Sequence, residues 1–378
     1  MKSYDTDISL NWWQVWKLRR IAWRNRIFAR KSFQDWASRL PLVRRIARKR
    51  AQRVFDLLAG FTYSQTLLAC VESGLLDLLG EGVSGVDRIA KVTGLPAAAA
   101  ERLVRAATGI GIAEEVAPRL WMLGREGAGL INNAGARAMI RHHSLLYQDL
   151  ADPLALLRAD RASPTRLSEF WRYAASADAG AETTESVAPY SELMAASQAM
   201  VSEQVLGSYG FSETRKLLDI GGGFGVFAHA VRRAHPEIEV GVFDLPGVVQ
   251  GGADQGGDRI ARHAGDFFRD PLPRGYDTIS LTRILHDHDD GPALKLLHAI
   301  REALPSGGRL IIAEPMAKVR GAEPMGETYF GLYLWAMRSG RPRSVAEIQA
   351  MLQQAGFQGS DEIATQQPMI TSLIVARA

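Results

Sequence analysis

The sequence predicts an α/β protein in which a helical N-terminal domain precedes a doubly wound sheet. Two observations predict the sheet. The stretch LLDIGGGFG, residues 217–225, has the pattern of a strand, a glycine-rich turn and the start of a helix. From there to Ala378, strand-like apolar runs alternate with helical patterns, and PMITSLIVARA is the predicted final strand. The N-terminal half shows helical apolar spacing instead.

Residues 1–50 are predicted to form a basic, aromatic arm, with Pro41 separating two helices. Between Lys17 and Arg53 the chain carries fourteen lysines and arginines against one acid, Asp35. Aromatic residues are interleaved with these cations: Trp12, Trp13, Trp16, Trp23, Phe28, Phe33 and Trp36. Tryptophan beside arginine is typical of a segment at the surface of an anionic membrane. An arm that packs on a partner subunit and an arm that binds nucleic acid are the alternatives.

Residues 51–140 are predicted to form a winged-helix-like domain. An apolar helical pattern over residues 51–80 is followed by a helix, a turn at residues 94–96, a second helix and the strand LWMLG. Winged helices often bind DNA, but a recognition helix presents several polar side chains to the bases. The second helix here has only Arg102 and Arg105 as cations. We therefore expect a packing module.

Residues 141–210 are predicted to be a helical linker that also covers a substrate pocket. Methionine and aromatic side chains suit an adaptable apolar wall. On this basis Tyr190 and Met194 are the candidate pocket residues. Core packing is the alternative for each of them.

Residues 211–378 are predicted to be the ligand-binding domain, and their glycines suggest the ligand. The motif has the spacing D-x-G-x-G-x-G and consists of Asp219, Gly221, Gly223 and Gly225. Such glycines let the backbone approach a ligand closely, but Val226 occupies the last glycine position of dinucleotide enzymes. An acid beside the turn suits a cation better than a pyrophosphate, which favours S-adenosylmethionine. A tight turn without a ligand is the alternative.

Two later strand ends carry further groups for such a ligand. Asp244, in GVFDLP, ends the next strand, where a carboxylate can accept both ribose hydroxyls. Asp266 and Phe267, in GDFF, follow a third short strand and offer a polar acceptor beside an aromatic face. Together they suit the amino group and the ring of adenine.

The run LHDHDD places two histidines and three acids directly after an apolar strand: His286, Asp287, His288, Asp289 and Asp290. The alternating order lacks the i, i+4 histidine spacing of a zinc helix, so no metal is predicted. Histidine has an ordinary pKa of about 6.5 and can take a proton from a nucleophile near neutral pH. His286 is therefore the candidate general base, with a surface or capping histidine as the alternative.

Over essentially its whole length, the chain resembles the small-molecule O-methyltransferases of the caffeate and hydroxyneurosporene type. The resemblance is carried by LLDIGGGFG, FDLP, GDFF, LHDHDD, SGGRLIIAEP and the closing AGF. It implies a class I, Rossmann-like methyltransferase sheet, a dimerisation role for residues 51–140, and S-adenosylmethionine as the cofactor. The cofactor-binding residues that it implies are Asp219, Gly221, Gly223, Gly225, Asp244, Leu245, Asp266, Phe267 and Arg283.

The resemblance also implies the catalytic residues. His286 is the general base, and Glu314, at the end of the strand in IIAEP, flanks the base and orients its ring. Two positions depart from the family pattern. His288 stands where the family often has tryptophan, at one wall of the adenine pocket, and Pro342 stands where a second acid often flanks the base. We therefore expect His286 to depend on Glu314 alone.

The predicted reaction is methyl transfer from S-adenosylmethionine to a hydroxyl of an apolar acceptor. The arm and the phrase FDLLAGFTYSQTLLACVESGLLDLL resemble the carotenoid enzymes of purple bacteria. This resemblance implies the C1 hydroxyl of hydroxyneurosporene or demethylspheroidene as the acceptor, a homodimer, and peripheral contact with an anionic membrane. The alternatives are a phenolic polyketide or a tetrapyrrole as acceptor and, from another class, a winged-helix DNA-binding regulator.

The composition of the chain indicates the cellular compartment to expect. The 378 residues, 47% hydrophobic and 23% charged, are typical of a globular protein of two domains. Cys70 is the single cysteine, so the chain forms no internal disulfide, as expected of a cytoplasmic protein. Roughly 18 consecutive apolar residues would indicate a membrane-spanning helix. The sequence shows neither such a run nor a secretory signal, so we expect a cytoplasmic protein, peripheral on the inner or photosynthetic membrane.

Overall fold

Two units divide the chain: an N-terminal unit, residues 1–70, and a main unit, residues 71–378. The computed structural model describes residues 10–39, 41–171, 184–251 and 260–378. At residues 38, 41–43 and 184–192 it describes no side chains.

In the N-terminal unit the described helices are α1 (Trp12–Phe28), α2 (Lys31–Arg39) and α3 (Pro41–Glu72). Asn11 caps α1: its side chain accepts a hydrogen bond from the backbone N–H of Gln14, and the Gln14 side chain accepts one from the backbone of Asn11. Pro41 separates two helices as predicted, because proline is tolerated in the first turn of a helix. α3 then continues to Glu72, so the predicted boundary after residue 50 falls inside a helix.

The segment Arg44–Glu72 of α3 is long and apolar enough to cross a bilayer, and 17% of its apolar window is buried. This differs from the expectation that no helix would qualify. The reason is that uncharged polar residues such as Ser64 and Gln65 interrupt the apolar run without adding charge. Length and composition are the whole basis of the match, and a core helix of a globular protein can meet the same criterion.

The main unit opens with a small helical domain. It contains α4 (Leu75–Gly80), β1 (Ser84–Gly85), α5 (Val86–Thr93), α6 (Ala97–Gly109), β2 (Ala113–Ala117), β3 (Leu120–Leu123) and α7 (Arg125–Ile131). The two predicted helices are present, and Gly94 ends α5 with a φ of 68°, in the left-handed region that favours glycine. β3 matches the predicted strand LWMLG. It pairs antiparallel with β1 and β2, two strands that the sequence did not predict.

Helices make up most of the described part of residues 141–210, the region predicted to be helical. They are α8 (Ala134–Asp149), α9 (Pro153–Arg158), α10 (Arg166–Phe170) and α11 (Thr184–Ser208). Asn133, Asp152 and Thr165 cap the first three, since each side chain accepts a hydrogen bond from a backbone N–H of the first turn.

The remaining chain alternates strands and helices. Its elements are β4 (Lys216–Ile220), α12 (Val226–Ala234), β5 (Glu239–Asp244), α13 (Pro246–Gly251), β6 (Ala261–Ala264), β7 (Thr278–Thr282), a 3₁₀ turn (Leu285–Asp287), α14 (Asp290–Ala303), β8 (Arg309–Glu314), a π-helical turn (Pro324–Phe330), α15 (Gly331–Met337), α16 (Val345–Gln354), β9 (Gly359–Ile363) and β10 (Ser372–Arg377).

The strand order of the large sheet is β6-β5-β4-β7-β8-β10-β9. The pairs from β6 to β8 are parallel, and β10 runs antiparallel to both β8 and β9. β10 is the predicted final strand. The strand order reverses at β4, which lies between β5 and β7, and in such sheets ligands bind at the carboxyl ends of the strands beside this point.

Both faces of the sheet are buried, which explains its nearly continuous apolar strands. Alternate residues of β4 point to opposite faces: Leu218 and Ile220 join one core cluster, and Leu217 joins the other. α14 and α16 cover the first face, with Leu296 and Leu352 in the core. The sheet is thus held on both sides, and its carboxyl edge provides a rigid floor for a site.

Candidate active site

A cavity opens at the carboxyl ends of β4, β5 and β7. Its walls bring together nine residues selected from the sequence: Met194, Asp219, Gly221, Gly223, Asp244, Leu245, Asp266, Phe267 and Arg283. These residues come from segments far apart in the chain and meet only because parallel strands end at one edge. Gly225, His286 and Glu314 do not line this cavity.

The glycine turn adopts the left-handed backbone conformation that its sequence suggests. The φ angles are 67° at Gly221, 58° at Gly223 and 86° at Gly225, a region that side chains disfavour. A side chain at Gly221 would also overlap the side chain of Ile284. Gly225 directly precedes α12, and its left-handed backbone connects the turn to that helix.

Two acids face the turn: Asp219 is buried and Asp244 is half-buried. Asp219 accepts a hydrogen bond from Ser280 Oγ (2.7 Å), and its Oδ2 has no hydrogen-bond partner among the described residues. Asp244 accepts one from the backbone N–H of Gly223 and one from that of Leu245, both at 2.7 Å. Burial raises the pKa of Asp219 to about 7 and that of Asp244 to about 6. A cationic ligand with hydroxyl donors would stabilise both carboxylates, so this pair fits the predicted cofactor.

The opposite wall is aromatic. The ring of His288 lies edge-to-face with Phe267 (5.6 Å between centroids) and with Phe268 (4.9 Å). Burial lowers the pKa of His288, which keeps the ring neutral. The position where the family often has tryptophan therefore still provides an aromatic surface. Asp266 beside it accepts a hydrogen bond from the backbone N–H of Phe268 (2.9 Å).

Arg283, at the end of β7, has a φ of 60°, which is unusual for a residue with a side chain. Its backbone N–H bonds to Ala313 O (2.8 Å). The guanidinium donates to Ser197 Oγ (2.7 Å) and contacts Met194 Sδ (3.2 Å). Arg283 therefore ties α11 to the edge of the sheet, and the strained backbone aims its side chain at the helix that covers the cavity.

His286 is buried in the 3₁₀ turn that follows β7. Its Nε2 lies 3.1 Å from Asp287 Oδ1, and its backbone N–H donates to Glu314 Oε2 (3.0 Å). Burial lowers the pKa of His286, but the charge and hydrogen bond of Asp287 and the charge of Glu314 outweigh it, so the net change is upward. Glu314, whose own pKa is raised by burial, thus bonds to the backbone of His286 and not to its ring.

Asp287 is the acid that contacts the imidazole ring, a role that sequence reasoning missed. The available signal was its position directly after His286 in LHDHDD. His286 Nδ1 and Glu314 Oε1 have no hydrogen-bond partner among the described residues.

A second, smaller cavity adjoins the first. It is lined by Met139, Trp171, Met194, Arg283, His286, Asp287, Phe330, Tyr333 and Leu334. Four residues line both cavities: Trp171, Met194, Arg283 and Asp287. His286 thus faces an apolar chamber beside the cofactor cavity. The side chain of Tyr190, the other candidate pocket residue, lies outside the described part of the chain.

Sequence reasoning also missed Phe330 and Tyr333, which the π-helical turn and α15 bring to this chamber. Phe330 lies over the ring of His286, with 5.6 Å between centroids. The Tyr333 hydroxyl shares a hydrogen bond with His142 Nε2 (2.8 Å) and accepts one from Trp171 Nε1 (3.4 Å). The aromatic spacing of TYFGLYLW was the only signal. Within the described ranges, no group of three potential metal-ligating side chains comes together.

Comparison with known proteins identifies the family of the chain. An O-methyltransferase domain model matches residues 147–358, more than half of the chain. The chain belongs to the O-methyltransferase family. Its similarity to the demethylspheroidene O-methyltransferase of Cereibacter sphaeroides is 39% identity over 93% of both chains. Its sequence identity to the demethylspheroidene O-methyltransferase of Rhodobacter capsulatus is 38%, over 94% of this chain and 90% of that protein. The predicted enzyme class is therefore confirmed.

Comparison with solved structures confirms the predicted fold class. The human N-acetylserotonin methyltransferase, solved in complex with S-adenosylmethionine, superposes with a TM-score of 0.73 at 24% identity over 86% of this chain and 97% of that one. The structure of LaPhzM gives a TM-score of 0.70 at 25% identity over 86% and 98%. The Rossmann-like sheet and the helical N-terminal part of the main unit are common to this fold.

Proposed function

We propose that this O-methyltransferase transfers a methyl group from S-adenosylmethionine to the C1 hydroxyl of an acyclic carotenoid of the hydroxyneurosporene or demethylspheroidene type, with His286 as the general base. The observation that carries the proposal is the junction of the two cavities at Asp287 and Arg283, which puts the base beside the cofactor cavity. The similarity to two demethylspheroidene O-methyltransferases supports the acceptor class.

The residues of the first cavity fit the cofactor group by group. Asp219 and the glycine turn suit the cationic part, Asp244 the ribose hydroxyls, and Phe267 with His288 the adenine ring. When bound, S-adenosylmethionine supplies an activated methyl group on a sulfonium.

Removal of the acceptor proton falls to His286. Because Nε2 is held at Asp287, Nδ1 is the nitrogen left to take the hydroxyl proton. The imidazolium that forms is stabilised by Asp287, and Glu314 fixes the backbone that carries it. The side chains of Phe330 and Leu334 exclude water from the chamber, which strengthens these charge interactions.

The acceptor is tested directly. The enzyme is incubated with methyl-labelled S-adenosylmethionine and, separately, a 1-hydroxy carotenoid in micelles, a catechol and a bacteriochlorophyll precursor. We expect label in the carotenoid. Label in the catechol or the tetrapyrrole would overturn the acceptor and keep the enzyme class.

We propose further that the arm holds the enzyme on an anionic membrane from the cytoplasmic side. In the N-terminal unit, five tryptophans are each about half exposed or more: Trp12, Trp13, Trp16, Trp23 and Trp36. Arg20 lies over the ring of Trp16 at 5.0 Å. Exposed indole rings among cations suit the headgroup layer of a bilayer, and a membrane-bound acceptor would be reached from there.

We propose that the protein forms a homodimer through a surface other than the tryptophan-rich part of the arm. α3 exposes an apolar stripe at positions i, i+3, i+4 and i+7: Val54, Leu57, Leu58 and Phe61, with Leu57 86% exposed. A second copy would bury this stripe against its own. In α6, Arg105 forms an ion pair with Glu101 (2.9 Å), which supports a packing role for that helix over a DNA-reading one.

A further inference from the structure

Residues 339–343, here called the clamp segment, join α15 to α16 and lie against the turn that carries the base. They bind the backbone carbonyls of four consecutive residues of that turn. Arg343 donates to Leu285 O (2.8 Å) and His288 O (2.7 Å), the backbone N–H of Arg341 donates to His286 O (3.0 Å), and Ser339 Oγ donates to Asp287 O (2.6 Å). Every carbonyl from residue 285 to residue 288 is therefore held from outside the turn.

Arg343 is the central group of the clamp segment. Its residue exposure is 0%, and its guanidinium reaches the carbonyls on both sides of His286. Asp290 accepts from Nε (3.0 Å) and from Nη2 (2.7 Å), which neutralises the buried charge. Burying an arginine is costly unless it is paired and fully hydrogen-bonded. The planar fork of a guanidinium allows such simultaneous contacts, whereas an ammonium does not.

The clamp segment lies in close contact with the turn. Gly340 has a φ of 78°, and a side chain there would overlap His286 O and the backbone of Asp287. Arg161, which follows α9, also donates a hydrogen bond to Gly340 O (3.4 Å). Pro342 has no hydrogen-bonding side chain, so the clamp segment binds the base turn through the backbone N–H of Arg341 and the side chains of Ser339 and Arg343.

We propose that Arg343 is a positioning residue for methyl transfer: by binding Leu285 O and His288 O it fixes the turn, so that the His286 ring stays between Asp287 and the acceptor chamber. The proposal rests on the proposed function, in which His286 takes the acceptor proton. The clamp segment directly follows α15, which supplies Tyr333 and Leu334 to the chamber. One element therefore carries both the acceptor wall and the support of the base.

The test uses full-length Arg343→Lys, because lysine keeps the charge but its three N–H donors on one nitrogen cannot replace the four hydrogen bonds of the guanidinium fork. We expect kcat to fall roughly 10- to 100-fold, since misplacement of a reacting group by about 1 Å costs that much. The dissociation constant for S-adenosylhomocysteine should change much less than kcat, because Arg343 itself does not line the cofactor cavity and reaches it only through the backbone of Asp287 and His288. Asp290→Asn, at a side chain 60% exposed, is the milder second variant and should lower kcat in the same direction.

A control separates positioning from general loss of stability. Ile238→Ala removes a fully buried side chain in the other core cluster, away from the base turn. The variants are compared at the same temperature interval below their melting points. If Ile238→Ala loses as much kcat as Arg343→Lys, the role of Arg343 is structural only and the proposal is wrong.

An independent readout follows the imidazole itself. In protein labelled with ¹³C-histidine, the His286 signal is assigned with His286→Gln and titrated in both backgrounds. Asp287, Glu314 and Arg283 are the charged groups that set the His286 pKa, with a net upward effect. In Arg343→Lys the pKa should move back towards its ordinary value. An unchanged titration would overturn the positioning role, whereas a moved titration with wild-type kcat would show that the base assignment is wrong.

Discussion

Asp287 Oδ1 lies 3.1 Å from His286 Nε2, and both side chains are almost fully buried. Neighbouring residues in a regular strand point to opposite sides, so this contact depends on the 3₁₀ turn that follows β7. The acid and the base thus form one buried unit, in which the carboxylate stabilises the protonated ring.

His286→Ala should lower the single-turnover rate roughly 10²- to 10⁴-fold, the usual contribution of a general base. Cofactor affinity should be nearly unchanged, because His286 does not line the cofactor cavity. Glu314→Gln should cost less, since its contact with the base is a backbone hydrogen bond that an amide oxygen can also accept. A rate for His286→Ala within about threefold of wild type would mean that proximity alone drives the reaction.

Asp287→Asn tests the charge of the pair. Asp287 contributes an upward change to the pKa of His286. Without that charge, the pKa falls and the acidic limb of the kcat–pH profile should move to lower pH, with a lower plateau. The pH dependence of kcat measures both. The exposed acid Asp361, on β9, provides the control Asp361→Asn, for which an unmoved profile is expected.

Asp244→Ala should weaken cofactor binding. Hydrogen bonds to a charged acceptor are worth roughly 1.5–3 kcal/mol, which corresponds to a change of about 10- to 100-fold in the dissociation constant. Calorimetric titration with S-adenosylhomocysteine measures it. An unchanged constant would show that Asp244 and the glycine turn do not form one site.

Cofactor affinity should depend on pH through Asp219. Burial raises the pKa of this carboxyl to about 7, so the ligand-free protein loses the negative charge as pH falls through that value. A cationic ligand prefers the ionised form, and affinity for S-adenosylmethionine should therefore fall below pH 7 by up to about tenfold per pH unit. Asp244 titrates lower, at about 6, and adds to the loss only below that pH. Asp219→Asn should bind weakly and without the step near pH 7, and a flat wild-type profile would contradict this account.

Removing residues 1–39 of the arm should release the enzyme from the membrane surface and leave its methyl-transfer chemistry intact. Deletion of residues 1–39 ends before α3 begins at Pro41, so that helix is preserved. We expect the deletion to abolish sedimentation with phosphatidylglycerol vesicles in moderate salt while cofactor affinity stays the same. Replacing Trp12, Trp13 and Trp16 by alanine keeps every cation and should still weaken vesicle binding. Wild-type protein that never sediments with these vesicles would refute the membrane proposal.

The apolar stripe of α3 predicts the oligomeric state. Leu57→Asp with Leu58→Asp places charges in the middle of the stripe. Sedimentation velocity should show a dimer for the wild type and a monomer for the double variant, with the far-UV spectrum preserved because both side chains are exposed. A wild-type monomer at micromolar concentration would exclude this surface as the dimer contact.

Much of the cofactor cavity could be predicted from short stretches of sequence. Asp219, Gly221 and Gly223 lie within five residues, and a glycine with positive φ after an apolar strand is a local requirement of the turn. Asp244 is also local, since it ends the next strand. The alternation of strands and helices then decides that these ends meet at one edge.

The support of the base could not be predicted in this way. Arg343 reaches Leu285 O across 58 positions of sequence, and neither residue carries a motif for the contact. The extent of α3 was hidden for a related reason: residue type marks where a helix can start, at Pro41, but the absence of a strong breaker lets α3 continue to Glu72. By itself the sequence determined the fold class and the glycine turn, because backbone preference and strand periodicity act over a few residues. Tertiary structure alone decided which acid contacts the imidazole, which aromatic rings enclose it and what holds its backbone, because these contacts depend on how distant segments pack.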